Sequence, residues 1–197
     1  MLDKSVPYVG IYMKRPAGTP YVPCTIPDGF KFTFYKDGND RDWARIETSV
    51  LEFDNEFEAS MYFAQKFKPE IEEFKKRCLF IETAEGKKIA TATAWWHHVN
   101  DERRAWLHWV AVDPNYQGLG LGKAITSGVT KLMLDLEGDV DFYLHTQTWS
   151  YKAIKIYEKF GYHITDEKIL YKGNKHNNYK KALKILKKLE NSKYNKY

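Results

Sequence analysis

Three observations in this sequence predict an α/β domain. The chain has 197 residues and is 43% hydrophobic, enough for one substantial core with little room for a second. Apolar residues recur along it in two patterns, the two-residue alternation of strands and the wider stripe of amphipathic helices. The stretch from Ala105 to Gly122, A-W-L-H-W-V-A-V-D-P-N-Y-Q-G-L-G-L-G, reads as a buried strand, a turn and the opening of a helix.

Composition narrows the class. No apolar run reaches membrane-spanning length and Met1-Leu2-Asp3-Lys4 lacks an apolar leader, so a cytoplasmic protein without a membrane partner is expected. Cys24 and Cys78 stand far apart with no metal-type spacing and read as reduced, ordinary residues. The net charge of +5 is unevenly spread, because residues 169 to 197 hold nine Lys and one Glu and leave the preceding body at −3. No internal repeat or low-complexity tract interrupts the chain.

Residues 1–28 read as an extended arm lying on the body. Five of the seven prolines fall there, and Val9 to Met13 is the one strand-like run among them. Gly29 to Tyr35 alternates through Phe30, Phe32 and Phe34 as a half-buried strand does, and Asp37-Gly38 closes it. Asp40 or Asp42 caps a helix carrying Trp43, Ile46 and Val50, and Asp54 or Asn55 caps another through Phe57, Met61 and Ala64. Pro69 breaks that pattern, and a further segment carries Ile71 and Phe74. Leu79–Thr83 and Lys88–Trp96 flank a hairpin turn at Glu85-Gly86.

Trp106 to Val112 is aromatic and β-branched without an acid or formal positive charge, which suits an interior strand. Asp113-Pro114-Asn115 turns it, and Leu121, Ile125, Leu132 and Leu136 mark a helix that begins within the glycines. Gly138 ends that helix and Val140 to Thr146 forms a strand. Ser150 caps a short helix whose Ala153, Ile156, Tyr157 and Phe160 share one face, closed by Gly161. His163 to Tyr171 is the last strand region. Tyr179, Ala182, Leu183, Leu186 and Leu189 make the lysine-rich end an amphipathic helix.

Unpaired amides at a helix start point outward, and glycines at Gly118, Gly120 and Gly122 let a phosphate come close to the backbone. Spacing excludes two familiar phosphate motifs. The third glycine of G-x-G-x-x-G would fall at Lys123 or Ile125, and the Walker pattern meets Gln117 and Ala124 where it needs glycine and Ser/Thr. What remains is Q-x-x-G-x-G at Gln117, Gly120 and Gly122. This resembles the acetyl-coenzyme A signature of the GNAT-type N-acetyltransferases; the alternative is a left-handed turn that binds nothing. A second stretch, Ser150 to Tyr162, is similar to that superfamily's N-x-x-A-x-x-x-Y-x-x-x-G-F. Ala153, Tyr157 and Gly161 match in register, while Ser150 stands for Asn and Tyr162 for Phe.

The resemblance runs from about Gly29 to Tyr171. It implies a central mixed, mostly antiparallel sheet, splayed between the fourth and fifth core strands, with helices on both faces. An N-acetyltransferase domain at residues 29–173 follows, with residues 174–197 as an extra basic helix packed on it. It also implies acetyl-CoA as cosubstrate, a small amine or peptide amine as acceptor, and direct transfer in a ternary complex, with no metal. The cradle for the diphosphate is then Gln117, Gly118, Leu119, Gly120, Leu121, Gly122 and Lys123. Val110 and Val112 offer backbone groups to the pantetheine arm, to which Ser150 makes a shorter contact than Asn. A free amide on that strand can polarise the thioester carbonyl.

By resemblance Tyr157 is the general acid for the leaving thiolate, although its apolar helix face also suits core packing. A primary amine is mostly protonated at pH 7, so a base or water relay is needed. His108 is the first candidate, since imidazole titrates near neutrality and L-H-W-V-A-V looks like the corresponding strand of arylalkylamine acetyltransferases. A core histidine is the alternative reading, and His145 an alternative base. Neither cysteine has a cue for activation as a nucleophile. His97-His98 point to opposite faces of a strand and read as a solvated strand end.

Trp43, Tyr62, Phe63, Trp95, Trp96 and Trp106 are candidates for the wall of an apolar acceptor pocket, with core packing as their default role. Glu70, Glu72 and Glu73 could attract a polycation, or simply form a solvated helix face. A non-enzymatic acetyl-CoA sensor is an alternative function. Another is a module binding nucleic acid or an anionic surface through the Lys-rich helix; nucleic acid is not expected, since lysine on such a helix is usually solvation. The oligomeric state is open, a homodimer included.

Overall fold

The computed structural model describes residues 2–99, 101–167 and 178–194. Its strands are β1 (Gly10–Arg15), β2 (Phe30–Phe34), β3 (Cys78–Thr83), β4 (Lys88–Val99), β5 (Glu102–Val112), β6 (Phe142–Gln147) and β7 (His163–Ile164). Its α-helices are α1 (Asp40–Ser49), α2 (Glu56–Lys66), α3 (Ile71–Arg77), α4 (Leu121–Glu137), α5 (Tyr151–Lys159) and α6 (Tyr179–Tyr194). The strands form one seven-stranded sheet in the order β2-β3-β4-β5-β6-β1-β7, antiparallel except for the β5–β6 pair.

Side-chain size along β4 explains the two layers. Ala90, Ala92 and Ala94 face one side and let α4 lie close, in a core shared with Ile11, Met13, Leu107, Ile125, Val129, Phe142 and Leu144. The opposite face carries Trp95, which joins Trp43, Ile46, Phe63, Phe67, Phe74 and Phe80 under α1 and α2. Within α4 the buried stripe runs Leu121, Ile125, Val129 and Met133, one turn apart; Leu136 lies outside it, half-exposed. Asn39 precedes α1, with Asp40 and Asp42 in its first turn rather than at the cap. Asn55 does cap α2, its side chain accepting from the Glu58 amide. No side-chain cap bond comes from Ser150.

The N-terminal reading needs correction. Residues 10–15 are not part of an arm on the surface but a strand inside the sheet, pairing with β6 from Gly10↔Gln147 to Arg15↔Phe142 and with β7 through Met13↔Ile164. The prolines misled by dominating the flanks: Pro7 and Pro16 bound the strand and none lies within it, so every ladder amide is present. Pro16 to Pro27 holds no strand, as expected. The edge strand β2 is also less covered than its alternation suggested, with Phe32 and Phe34 still 36% and 45% exposed. The expected last strand is seen at His163–Ile164, and the part of that expectation from residue 168 onward lies outside the described residues. Helix α6 packs Ala182 into the main core and joins α5 through the Lys155–Glu190 ion pair. Among the described residues no helix is long and apolar enough to cross a membrane.

Candidate active site

Two backbone irregularities open the sheet at one point. β5 and β6 pair in parallel only at Ala105↔Phe142, Trp106↔Tyr143 and Leu107↔Leu144, so they part at His108 and His145. On its other side β5 slips register against β4 between Thr91↔Ala111 and Thr93↔His108, leaving Trp109 at φ 51°. Such a bulge re-aims the side chains and backbone groups beyond it. The splay thus lies between the fourth and fifth strands counted from β2.

At the end of β5, Asp113 accepts from the Asn115 amide and Gln117 Nε2 donates to the Val112 carbonyl at 2.9 Å. Gly118 and Gly120 follow at φ 86° and 84°, a conformation that L side chains rarely adopt, and Gly120 is the left-handed N-cap of α4. The Lys123 amide donates to the Gly120 carbonyl at 3.0 Å, so the amides left without an intrahelical partner at the start of α4 are those of Leu121 and Gly122, at the positive end of the helix dipole.

A cavity of about 270 Å³ lies beside this turn, lined by Val110, Val112, Gln117, Gly118, Gly122 and Thr126 and by Ser150, Lys152, Ala153, Ile156 and Tyr157. At Gly122 a Cβ would stand 3.0 Å from Cδ1 of Ile156, another residue of the cavity wall. A glycine-rich, amide-presenting wall beside Lys152 suits a diphosphate, and the turn fits acetyl-CoA on that ground. Gly122→Val is expected to raise the KM for acetyl-CoA about tenfold or more, because the added methyl groups enter this wall. Steady-state kinetics with far-UV circular dichroism as a fold control measures it; an unchanged KM with the fold retained removes the glycine turn from cosubstrate binding.

A second cavity, about 330 Å³, occupies the splay itself. Glu47, Glu52, Tyr62, Trp106 and Trp109 line it together with His97, His108, His145 and Gln147. The two cavities share Glu52, Val110, Ser150, Ala153 and Tyr157. Three of these, Ser150, Ala153 and Tyr157, are spaced as one face of α5.

Burial sets the charge states. The Tyr157 hydroxyl is pushed well above the ordinary phenol range by burial, then by Glu52 and Glu47, and stays protonated. His108 is held well below the usual imidazole range by burial and by His97 and His145, so the ring is neutral at pH 7. Its Nε2 shares a hydrogen bond with His97 Nε2. His145 is also lowered by burial in the cleft. Glu47 is raised well above the carboxylate range by burial and by Glu52. Glu52 is raised by burial, against the pull of Gln147 and Lys4, and accepts from Gln147 Nε2 at 3.2 Å. Among the described residues no group of three or more His, Cys, Asp or Glu is placed to hold a metal ion.

Several expectations fall on the site and several do not. Val110, Val112, Gln117, Gly118, Gly122, Ser150 and Tyr157 line the first cavity, whereas Leu119 and Lys123 are exposed and the Leu121 side chain is in the core. His108 and His145 lie in the second cavity. His97 is no solvated strand end: it is half-buried against His108 and Trp106, and only His98 is exposed. Of the six aromatic wall candidates, Tyr62 and Trp106 line the cavity. Trp43 and Phe63 are core, Trp95 packs on Phe67, and Trp96 lies under the Arg77 and Arg103 guanidinium groups. Glu72 and Glu73 pair with Lys75, Lys76 and Arg77 on α3, and with Glu70 they are not among the residues lining the cavity. The Cys78 thiol, fully buried, is pushed up to about 12, which removes it as a nucleophile.

Glu47 and Trp109 escaped the sequence reading. A signal existed for Glu47, which occupies the stripe Trp43, Ile46, Glu47, Val50 at core-facing spacing, where a carboxylate is out of place.

The profile of the Acetyltransferase (GNAT) family matches residues 42–162. A search of curated proteins gives no match. The fold is similar to a GCN5-related N-acetyltransferase from Sphaerobacter thermophilus, with TM-score 0.62 and 17% identity over 81% of this chain and 49% of that one. It is similar to a GNAT-family acetyltransferase from Colwellia psychrerythraea, with TM-score 0.57 and 12% identity over 81% of this chain and 54% of that one. It is also similar to Arabidopsis thaliana Naa50, solved in complex with the bisubstrate analogue CoA-Ac-MVNAL, with TM-score 0.55 and 19% identity over 70% of this chain and 85% of that one. The chain thus spans about half the length of the first two. With its profile match over more than half the sequence and its splayed sheet, the chain belongs to the GNAT acetyltransferase family.

Proposed function

We propose that the protein is an acetyl-CoA-dependent N-acetyltransferase that moves the acetyl group to a primary amine, of a small molecule or a peptide, by direct transfer in a ternary complex. The observation that carries this reading is the seam: a cavity built on the glycine turn and a cavity built on aromatic and acidic residues meet at Ser150, Ala153 and Tyr157. One takes a phosphorylated cosubstrate, the other an acceptor, and the reaction lies where they join.

Acetyl-CoA supplies the thioester. The amides from Gly118 to Gly122 hold the diphosphate, with Gln117 fixing the turn to β5 through Val112. Val110, within the bulge, and Val112, beyond it, present backbone groups to the pantetheine arm as a neighbouring strand would, and Ser150 adds a hydroxyl. As the amine nitrogen bonds to the acyl carbon the carbon–sulfur bond breaks, the nitrogen gives its second proton to the base, and the charge goes to sulfur. Tyr157, protonated throughout the working range, donates a hydrogen bond to it.

The amine must first lose a proton. His108 is the candidate acceptor, neutral in the cavity, with His97 hydrogen-bonded behind it as an onward path; His145 lies across the splay as the alternative. Because the His108 conjugate acid is destabilised, its protonation affects the rate only below pH 6.5, and the ring is competent at neutral pH.

The direct experiment is thiol release from acetyl-CoA against a panel of amines and peptide amino termini, with the acetamide identified by mass spectrometry. Acetyl-CoA binding without turnover of any amine would favour a sensor instead. His108→Ala is expected to lower kcat/KM roughly tenfold to fiftyfold at pH 7, and the deficit should close as the buffer approaches the amine pKa near 10. A deficit that is the same at every pH removes His108 as the base.

A further inference from the structure

The acceptor cavity contains a carboxyl group that the protein leaves unanswered. Glu47 is 1% exposed and lines the cavity, and its Oε1 has no hydrogen-bond partner among the described residues. Other buried carboxylates of this chain are paired with cations: Asp113 with Arg45, Glu82 with Lys88, and Glu137 with Arg77 and Arg103. Glu52, beside Glu47 at the cavity, is held by Gln147. Glu47 gains nothing for the core either, since an apolar residue would continue the α1 stripe of Trp43, Ile46 and Val50.

What surrounds Glu47 defines the missing partner. Among the described residues no Lys or Arg lines the cavity, and its His108 and His145 are both held below the usual imidazole range. Tyr62, Trp106 and Trp109 present aromatic surface, with the Tyr62 and Trp109 rings 5.0 Å apart. Such walls accept a flat apolar body and favour a cation beside them. Glu47 and Tyr157 line the same cavity, so a group bound to Glu47 shares that space with the seam.

We propose that Glu47 receives the ammonium group of the acceptor, and that the cavity takes a primary ammonium on a compact apolar body bearing no carboxylate. This rests on the reading of the splay cavity as the acceptor site. Glu47 acts here as a positioning and specificity residue: its carboxyl, protonated while the cavity is empty, ionises as it pairs with the ammonium, its proton passing to solvent, and the pair holds the amine at the seam before the proton leaves to the base.

The test compares three acceptors with the full chain and acetyl-CoA at pH 7: 2-phenylethylamine, a cation; O-benzylhydroxylamine, its neutral isostere; and phenylalanine, which adds a carboxylate. Glu47→Gln is expected to raise the KM for 2-phenylethylamine about 10- to 100-fold, the range of a hydrogen bond to a charged group, and to shift that for O-benzylhydroxylamine less than threefold. Glu47→Asp, which keeps the charge, is expected to restore part of the preference. A KM change of equal size for both acceptors shows a structural role and overturns the assignment. If Glu47→Gln does not fold, the wild-type protein decides: phenylalanine used as well as 2-phenylethylamine overturns the proposal, and a preference of at least 100-fold against it supports it. If the wild-type protein acetylates no amine, the catalytic reading fails while calorimetry still tests Glu47. Binding of 2-phenylethylamine that weakens 10-fold or more in Glu47→Gln upholds the receptor, and no binding to the wild-type protein overturns it.

Discussion

Tyr157→Phe is expected to lower kcat about 10²- to 10³-fold while leaving the KM for acetyl-CoA within a few-fold of the wild-type value. The side chain is 7% exposed and lines both cavities, so the ring itself belongs to the wall and phenylalanine preserves it. What the substitution removes is the hydroxyl hydrogen. A donor aimed at charge that develops only during the reaction contributes to the transition state far more than to binding, and losing one such donor lowers rates by this factor. Burial and the charges of Glu52 and Glu47 disfavour phenolate, so the donor is present at every pH where the protein is folded and active. The loss should therefore be uniform across neutral and alkaline pH, unlike that of His108→Ala, which narrows as pH rises. Two pH–rate profiles side by side make the comparison. A Tyr157→Phe protein with wild-type kcat would assign the hydroxyl to packing, and the thiolate would then need another donor.

Of the two cavities that meet at the seam, the one beside the glycine turn is more legible in the sequence than the one in the splay, for a physical reason. Binding a diphosphate through backbone amides demands glycine at particular positions, and Gly118, Gly120 and Gly122 advertise that demand locally. The α5 face is also local: Ser150, Ala153 and Tyr157 fall together because a helix brings residues three and four apart onto one side. The splay cavity is assembled from α1, α2, β4, β5 and β6, and no single segment encodes it. Aromatic residues there cannot be told from core residues by pattern. Trp43 is wholly buried among rings, whereas Tyr62, stacked on it, reaches the cavity. His97 reads as a solvated strand end for the same reason, since its partner His108 sits on the next strand and only pairing brings the rings together.

Removing residues 1–15 is expected to abolish folding, which a surface arm would not do. β1 lies between β6 and β7, so its loss leaves β6 with an open edge and β7 with no partner among the described strands. Val9, Ile11, Tyr12 and Met13 are buried, and each contributes about 1.5–3 kcal/mol by burial. Arg15, wholly buried, donates from Nε to the Phe160 carbonyl at 3.2 Å and from Nη2 to the Thr19 carbonyl at 2.5 Å, and its guanidinium lies over the Phe142 ring. The apolar side chains alone sum to a large part of the roughly 5–15 kcal/mol that holds a domain folded. The deletion also uncovers the ends of α5 and β6, which frame the seam. Circular dichroism and thermal melts of the truncated chain should show no cooperative transition. Because the missing element pairs through backbone ladders on both sides, a synthetic peptide of residues 1–16 added in trans should restore the transition and acetyl-CoA binding together. A truncated protein that melts like the wild type would mean that β6 and β7 close the sheet without β1, and that the N-terminal segment is the arm its prolines suggest.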